Sequence, residues 1–221
     1  MLVKEAKSYG NISTGNSKMP GTTYAIDAFA CQVGSKLALI EGTPCHTCYA
    51  RKLQKLRPSV DKGWKANLDK WEQASTSELG RSTWVAAMVL QITRYNTDGY
   101  HRWFDSGDLQ SVEMLDAICQ VARATPEIKH WLPTQERGIV SRYTQGLLPP
   151  TGKVPPNLLI RVSASKLNGP APKGFANTSQ VFTSDQAPLG SECHARHNDN
   201  NCGDCRACWD PLVKFVSYPK H

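Results

Sequence analysis

Apolar residues recur at helical spacing in the first half of the chain. Three runs between residues 49 and 96 carry apolar side chains three or four positions apart, which indicates amphipathic helices. Their stripes are Tyr49, Leu53 and Leu56, then Trp64, Leu68 and Trp71, then Trp84, Met88, Ile92 and Tyr95. Such stripes are most simply the faces that helices turn toward a core. Pro58 ends the first helix, and residues 1–44, rich in Gly, Ser and Thr, predict irregular structure around a short strand or two.

From residue 100 onward the pattern alternates between short apolar strands and helices. We expect strands at His101–Asp105, Ile128–Pro133, Asn157–Ser163, Gln180–Ser184 and Val213–Tyr218. Helices are expected from a Ser111 cap through Ala124 and from Glu136 to about Gly146, followed by the Pro-rich linker LPPTGKVPP. Because strand–helix–strand units use right-handed crossovers, the pattern predicts an α/β chain with a parallel sheet.

Composition limits the partners of this chain. Hydrophobic residues make up 40% of the sequence, and no apolar run approaches the ~20 residues of a membrane span. The N-terminus has no apolar signal region, so we expect a cytoplasmic protein that does not contact membranes. A net charge of +7 permits an anionic partner such as nucleic acid. The one dense basic stretch, residues 51–65, is more simply a solvated helical face.

The C-terminal region concentrates half of the chain's 8 cysteines. Cys193, Cys202, Cys205 and Cys208, the C-terminal cysteine group, form a C-x8-C-x2-C-x2-C pattern. Three thiolates along one curved loop and a fourth farther away suit a [4Fe–4S] cluster, and Gly203 lets the backbone wrap closely. A zinc site, with His194 or His197 in place of a cysteine, and a disulfide framework are the alternatives.

A second set of cysteines lies near the N-terminus. Cys31, Cys45 and Cys48, the N-terminal cysteine group, leave one metal position open if they hold a four-iron cluster. Alternatively, the C-x2-C pair is a redox dithiol and Cys31 an ordinary core residue. Cys119 falls on the apolar side of a predicted helix, so we interpret it as a buried thiol rather than a ligand.

Polar residues follow four of the predicted strands, where reactive groups of parallel sheets collect. They are Asp105, Ser106, Gly107 and Asp108 after the first strand, Glu136 after the second, Arg161, Ser163 and Ser165 on the third, and Asp185 after the fourth. Each has a simpler explanation. Asp108 can cap a helix, Glu136 can favour a helix N-terminus, and Arg161 can pair with Asp105 or Glu136. Together, they favour a site at this edge.

Six stretches of the chain give a family resemblance. They are CHTCYA (45–50), RWFDSGDLQS (102–111), IKHWLPTQE (128–136), IRVSAS (160–165), CGDCRACWD (202–210) and the terminal VSYPKH. Together they resemble the phage family called gene product 88, from about residue 20 to the end. That family in turn looks like a remote relative of radical S-adenosylmethionine (SAM) proteins, whose cysteine loop ends C-x2-C before Tyr-Ala. Cys31 stands farther from Cys45 than that pattern has it, and Ser-Gly-Asp replaces Gly-Gly-Glu.

The resemblance implies a partial parallel (β/α) barrel, radical-SAM-like, with a C-terminal cluster-binding segment. We expect residues 1–190 to form the barrel-like domain and residues 191–221 to pack on it as one structural unit. The N-terminal cysteine group would hold a second cluster with SAM on its open iron. By resemblance, Asp105, Ser106, Gly107 and Asp108 would contact SAM, and Arg161 and Ser163 complete that set. Glu136, with Asp105, is the catalytic candidate.

These observations predict an iron–sulfur protein made in the host cytoplasm by a phage, with one or two [4Fe–4S] clusters and a radical-SAM-like reaction on an unknown substrate. The alternative is a non-catalytic module. There, one cluster or a zinc ion would staple the C-terminal tail to the domain, and the basic surface would bind nucleic acid or a host protein. Iron content and colour distinguish the two.

Overall fold

The computed structural model describes residues 1–15, 18–146 and 152–220. Part of the predicted Pro-rich linker, residues 147–151, lies outside the described residues. The helices are α1 (Val3–Ala6), α2 (Gln32–Leu37), α3 (Tyr49–Leu56), α4 (Pro58–Ser75), α5 (Glu78–Tyr95), α6 (Val112–Ala124) and α7 (Arg137–Gln145). The strands are β1 (Thr22–Tyr24), β2 (Tyr100–Trp103), β3 (Lys129–Thr134), β4 (Leu158–Ser163), β5 (Thr178–Phe182), β6 (Ser191–Glu192) and β7 (Phe215–Pro219).

The seven strands form one parallel sheet in the order β1-β2-β3-β4-β5-β7-β6. The first five follow one another in chain order, with α2, α3, α4 and α5 between β1 and β2, α6 between β2 and β3, and α7 between β3 and β4. The sheet does not close on itself, because β1 and β6 stand at opposite ends of that order. The predicted α/β class and parallel sheet are confirmed.

Local sequence accounts for where the helices begin and end. The Ser77 and Ser111 side chains accept from the backbone N–H groups of Gly80 and Met114, so each serine caps its helix. Pro58 stops α3 and starts α4, since proline lacks an N–H but suits the first helical position. Gly146 ends α7 at φ 72°.

The core lies between the helices and the sheet. An aromatic cluster joins Trp71 of α4, Trp84 of α5, Tyr24 of β1 and Trp103 of β2, with Trp71 and Trp84 ring centroids 5.0 Å apart. All four side chains are buried. Edge-to-face pairs of this kind contribute about 0.5–1.5 kcal/mol beyond their burial. The stripes predicted on α4 and α5 therefore do face the core, and Cys119 of α6 is fully buried as expected.

The prediction that the stripe of α3 faces the core is wrong. Tyr49, Leu53 and Leu56 are 48%, 38% and 76% exposed, although their spacing predicted a core face. The helix turns its other side inward, where Ala50 and Gln54 are buried. The Gln54 amide accepts from the Ala28 N–H and donates to two aspartates, so a buried polar network replaces apolar packing.

The C-terminal segment is built into the sheet. Residues 191–220 supply β6 and β7, and β7 pairs with β5 over five residues, from Thr178↔Phe215 to Phe182↔Pro219. The sequence did not predict β6, which has two residues. The observed β5 also begins two residues before the predicted strand. Among the described residues, no helix is both long and apolar enough to span a membrane.

Candidate metal centres

All four cysteines of the C-terminal group line one cavity of about 70 Å³. That volume exceeds the roughly 10–15 Å³ that a single water needs. Ala195, Ala207, Trp209 and Val216 contribute apolar walls. The four thiols are not paired as disulfides. A cavity lined by four thiols and closed by apolar side chains fits a soft, thiolate-bound metal group.

The loop that carries these cysteines is fixed by backbone hydrogen bonds. The Cys193 N–H donates to Ser217 of β7, and the Cys202 N–H donates to Lys18. The Cys205 N–H returns to the Cys202 carbonyl, which closes the first C-x2-C turn. Gly203 takes φ 51°, the left-handed conformation that the sequence predicted for it. His194 also lines the cavity, so the zinc alternative keeps a nitrogen donor.

Arg161 belongs to this loop and not to the polar edge where the sequence placed it. Its fully buried guanidinium donates to the backbone carbonyls of Thr178, Ala207 and Val213, at 3.0–3.1 Å. None of its hydrogen bonds goes to a carboxylate, so the predicted pairing with Asp105 or Glu136 is wrong. Ala207 and Val213 lie on either side of Cys208 in the chain. Arg161 therefore holds the cysteine loop against β4 and β5.

Cys208 faces the sheet through Tyr218 of β7. The two side chains are within hydrogen-bond distance, with Sγ and Oη 3.3 Å apart. Burial raises the pKa of the Cys208 thiol to about 12, and the Tyr218 hydrogen bond and the charges of Arg161 and Arg102 oppose that rise. Burial also raises the pKa of Cys193 and Cys202. Deprotonation of these thiols thus requires a compensating positive charge, which a metal provides.

The N-terminal cysteine group gathers beyond the carboxyl end of β1. Cys31 precedes α2 and Cys48 precedes α3, while the Cys48 N–H donates to the Cys45 carbonyl. A Cβ atom on Gly34 would lie 3.7 Å from both the Cys31 and Cys45 sulfurs, so both sulfurs pack against this glycine. Burial, followed by the Asp108 charge, raises the pKa of the Cys31 thiol. Burial and then Cys48 raise that of Cys45 to about 11.

Glu136 ties this group to the end of β3. Its Oε1 accepts from the Val33 N–H at 2.7 Å, in the first turn of α2 next to Cys31. The carboxyl is buried, and burial raises its pKa. Glu136 precedes α7 in the chain, as predicted, but its side chain makes no capping hydrogen bond to that helix. It stabilises the N-terminus of α2 instead.

Asp108 joins the ends of β2 and β3. Its carboxylate accepts from the Thr134 hydroxyl at 2.6 Å and from the N–H groups of Gln135 and Leu109, both at 2.8 Å. It does not cap α6, since Ser111 has that position. Burial raises the pKa of Asp108 to about 7, against those hydrogen bonds. Near physiological pH the Asp108 side chain, beside Cys31 and Cys45, can therefore be either protonated or ionised.

Ser106 and Gly107 shape the turn before Asp108. Gly107 has φ 81°, and a Cβ there would lie 2.2 Å from Ile26 Cγ1, so only glycine fits. The Ser106 carbonyl accepts from the Ile26 N–H. Its hydroxyl is buried without a hydrogen-bond partner among the described residues. The turn thus brings the Ser106 hydroxyl, which has no described hydrogen-bond partner, close to the residues that follow β1.

Asp105 lies beside Arg102, which was not among the site residues predicted from the sequence. The Arg102 Nη1 and Asp105 Oδ1 are 3.7 Å apart, and Tyr49 donates its hydroxyl to the Asp105 carbonyl at 2.6 Å. Asp105 is 30% exposed and Arg102 19%. Phe104, which directly precedes Asp105, has φ 55°, a strained conformation for a non-glycine residue. The alternation of side chains along a strand could have identified Arg102, because it places this residue on the sheet face opposite to that of the buried Trp103.

Ser163 stands apart from the cysteines. Its hydroxyl bonds with that of Ser179 on β5 at 3.0 Å, and its carbonyl accepts from Arg137. The structure therefore brings Asp108 and Glu136 together with the N-terminal cysteine group, and Asp105 close to them through Tyr49. Arg161 is anchored with the C-terminal group. Ser163 has no described hydrogen bond to either group.

A site for one bare metal ion is absent from the described residues. No three His, Cys, Asp or Glu side chains in residues 1–15, 18–146 and 152–220 are close enough to hold one ion. A zinc ion needs four ligands within about 2.3 Å. Each thiolate of a four-iron cluster binds a different iron, so its sulfurs stand farther apart. A four-iron cluster does not require its four thiols to meet at one point, and four thiols line the C-terminal cavity.

One comparison with known proteins gives a match. The model of the family described as Gene product 88 matches residues 7–211. No curated protein matches the chain, and no solved structure matches it.

Proposed function

The chain belongs to the gene product 88 family, and we propose that it is an iron–sulfur enzyme of the radical-SAM-like type. In this proposal the C-terminal cysteine group holds one [4Fe–4S] cluster with four protein ligands. The N-terminal cysteine group holds a second, whose fourth iron is open to SAM.

The observation that carries the proposal is the meeting of the N-terminal cysteine group with Asp108 and Glu136. These residues come from three separate strand–loop junctions, after β1, β2 and β3, and converge at the carboxyl edge of one parallel sheet. Ligands of parallel α/β sheets bind at that edge. Three thiols beside two buried carboxyls, in a chain with no disulfides, support a cluster with an open coordination position there.

The residues of this edge have distinct tasks in the proposal. Asp105, Ser106 and Asp108 are the groups available to the amino and ribose parts of SAM, and Ser106 has a buried hydroxyl without a described partner. Glu136 is the proposed acid or base, because it is buried beside the N-terminal cysteine group and burial raises its pKa. Arg161, anchored elsewhere, is left out of SAM binding. Arg102 is the guanidinium nearest to Asp105 and can neutralise a carboxylate.

The chain's own residues hold the reacting groups in place. When bound, a reduced cluster with an open iron supplies one electron for the cleavage of SAM. Glu136 fixes the start of α2 and hence Cys31, while the C-x2-C turn fixes Cys45 against Cys48. Phe104 and Gly107 have positive φ angles, and these shape the turn that carries Asp105 and Asp108.

The test is SAM cleavage by anaerobically reconstituted protein reduced with dithionite. We expect a brown protein absorbing near 400 nm that releases 5′-deoxyadenosine and methionine. The double variant Cys45→Ser/Cys48→Ser should lose this cleavage, while Arg142→Ala, on an exposed part of α7, should keep it. A wild-type protein that holds both clusters but does not cleave SAM would contradict the enzyme assignment.

A second candidate is a metal-stapled binding module, and the exposed side of α3 favours it. Leu53 and Leu56 are exposed next to Lys52 and Lys55, on a helix without an acidic residue. Exposed apolar residues surrounded by cations mark interaction surfaces. In this version one cluster or a zinc ion stabilises the tail, and the basic side binds nucleic acid or a host protein. Colourless protein with stoichiometric zinc and salt-dependent nucleic-acid binding would support it.

A further inference from the structure

The exposed side of α3 mixes apolar and basic side chains. One row along the helix consists of exposed residues three or four positions apart, namely Tyr49, Lys52, Leu53 and Leu56. A second row, Arg51 and Lys55, lies beside Phe29 of the 3₁₀ helix Ala28–Ala30. The Arg51 Cζ is 5.0 Å and the Lys55 Nζ 5.6 Å from the centroid of the Phe29 ring. We call these seven residues the α3 surface.

Phe29 is an exposed aromatic residue that the protein holds in place. It is 39% exposed, so part of its ring stays open to a partner. Its N–H donates to Asp27, and the Ser35 hydroxyl donates to its carbonyl. The Arg51 guanidinium donates to that same hydroxyl and to the Ala28 carbonyl, which fixes the cation beside the ring. Groups that are ordered in advance lose little entropy when a partner binds.

Basic residues outnumber acidic ones in this part of the chain. Between residues 27 and 65 the acids are Asp27, Glu41 and Asp61, and the seven basic residues are Lys36, Arg51, Lys52, Lys55, Arg57, Lys62 and Lys65. Asp27 and Asp61 both accept from the Gln54 amide, and Asp61 pairs with Lys65 at 2.9 Å. Glu41 is exposed and has no described cation partner. The Asp105 carboxylate, near Tyr49, lies beside Arg102.

Three cations at this surface have no carboxylate partner. Lys52, Lys55 and Arg57 are exposed, and in the part of the chain that the structure describes none of them pairs with an acid. The electrostatic complement of the surface is therefore an anion. Because Phe29, Leu53 and Leu56 are exposed among these cations, the best fit is an anion that also carries flat, apolar groups.

Single-stranded nucleic acid has this combination of groups. Its bases stack on aromatic rings, and its phosphates are neutralised by Lys and Arg. A duplex keeps its bases stacked inside, so it would leave the Phe29 ring without a contact. A helix lying in a membrane interface has its apolar and charged side chains on opposite faces. In α3 they share one face, because Ala50 and Gln54 are on the side turned to the protein.

We propose that the α3 surface binds single-stranded nucleic acid, with a base stacked on Phe29 and phosphates on Lys52, Lys55 and Arg57. Leu53 and Leu56 contact the neighbouring bases. Binding tolerates many sequences, since every base has a face that can stack. The inference needs no cluster at either cysteine group, so it goes beyond the enzyme proposal and commits the exposed side of α3 to one partner.

Fluorescence anisotropy of the full-length protein with a labelled oligothymidylate of about 20 nucleotides tests this. An oligouridylate, a duplex of the same length, polyglutamate and phosphatidylserine vesicles are the comparisons. We expect both single strands to bind more tightly than the duplex. Their affinity should fall about 20-fold between about 50 and 200 mM salt, because three neutralised phosphates give a logarithmic slope near −2. No binding, equal binding of the duplex, or a preference for polyglutamate or vesicles overturns the proposal.

Two substitutions separate stacking from charge. Phe29→Ala should weaken single-strand binding at least about fivefold and leave the salt slope unchanged, because it removes a stacking ring but no cation. Tyr9→Ala is the matched control, since Tyr9 is 38% exposed on another part of the protein. If the two alanine variants bind equally well, the stacking assignment is wrong.

Lys52→Gln/Lys55→Gln should make the salt slope shallower by about 1.4, which corresponds to two phosphate contacts. Lys129→Gln/Lys153→Gln removes the same charge from two exposed lysines, one at the start of β3 and one before β4. Equal slopes for the two double variants would place the binding surface elsewhere and overturn the proposal. SAM cleavage, measured on the same preparations, tests the enzyme proposal separately, because single-strand binding does not depend on it.

Discussion

The two cysteine groups are built in different ways. The C-terminal group has four thiols around one cavity, from a loop between β6 and β7 that Arg161 and backbone hydrogen bonds hold in place. The N-terminal group has three thiols, and its surroundings come from distant parts of the chain, through Asp108 and Glu136. In the proposed function, a complete set of four thiols suits a cluster without an open coordination position. An incomplete set beside titratable acids suits chemistry on a bound molecule.

The largest difference should come from Arg161→Ala. Three backbone carbonyls would lose their buried donor, and we expect the free energy of unfolding to fall by about 3 kcal/mol. The C-terminal group should lose its iron, while the N-terminal group keeps its own. Urea unfolding and iron analysis measure both. Arg142→Ala, at an exposed arginine, is the matched control and should stay within about 0.5 kcal/mol of wild type. Normal stability in Arg161→Ala would break the comparison.

Gly107→Ala should act on the opposite group with a smaller effect. The left-handed backbone and the contact with Ile26 predict a loss of roughly 1–3 kcal/mol, and the displaced turn should weaken iron binding at the N-terminal group alone. Thermal unfolding and iron content give the two readings. Gly138→Ala is the control, because a Cβ at that helical position meets nothing within 4 Å. Equal effects of the two alanines would show that the turn does not position this group.

The pH dependence of stability concerns the sheet that both groups share. Burial lowers the pKa of His130 to about 3, and burial followed by His130 lowers that of His101 well below its usual value. The unfolded chain takes up these protons below pH about 6.5 and the folded chain does not, so stability falls as pH drops from there toward 3.

We expect a slope of at most about 1.4 kcal/mol per pH unit for each histidine in that range. Urea unfolding at several pH values measures the slope, and His130→Asn should reduce it. The backbone carbonyl of His101 accepts from Trp209, so mild acid should weaken the C-terminal loop together with the sheet. A stability independent of pH between 6.5 and 5 would contradict this account.

The sequence predicted the elements that repeat a simple pattern. Ser111 and Pro58 mark helix ends by local chemistry, and the Trp71 and Trp84 stripes indicate a core because helical spacing and burial agree. The stripe of α3 misled for a physical reason. The buried Gln54 side chain finds three hydrogen-bond partners, so the helix buries a polar side and exposes Leu53 and Leu56.

The candidate site was predictable as a set of residue types at strand ends but not as a set of partners. Asp108 and Glu136 were singled out correctly as neighbours on one edge, yet their bonds to Gln135 and Val33 depend on how distant loops fold back. Arg161 lies within β4, and its side chain binds the carbonyl of Ala207, 46 residues later in the chain. Local spacing carries no information about such a contact.

Iron and acid-labile sulfide content, measured on anaerobically reconstituted wild type and on two double variants, tests the central claim most directly. The account predicts close to eight irons and eight sulfides in the wild type. Cys45→Ser/Cys48→Ser and Cys202→Ser/Cys205→Ser should each retain about four, with the remaining cluster at the other group. Four irons in the wild type, unchanged by substitution of the N-terminal cysteines, or zinc in place of iron, would contradict it.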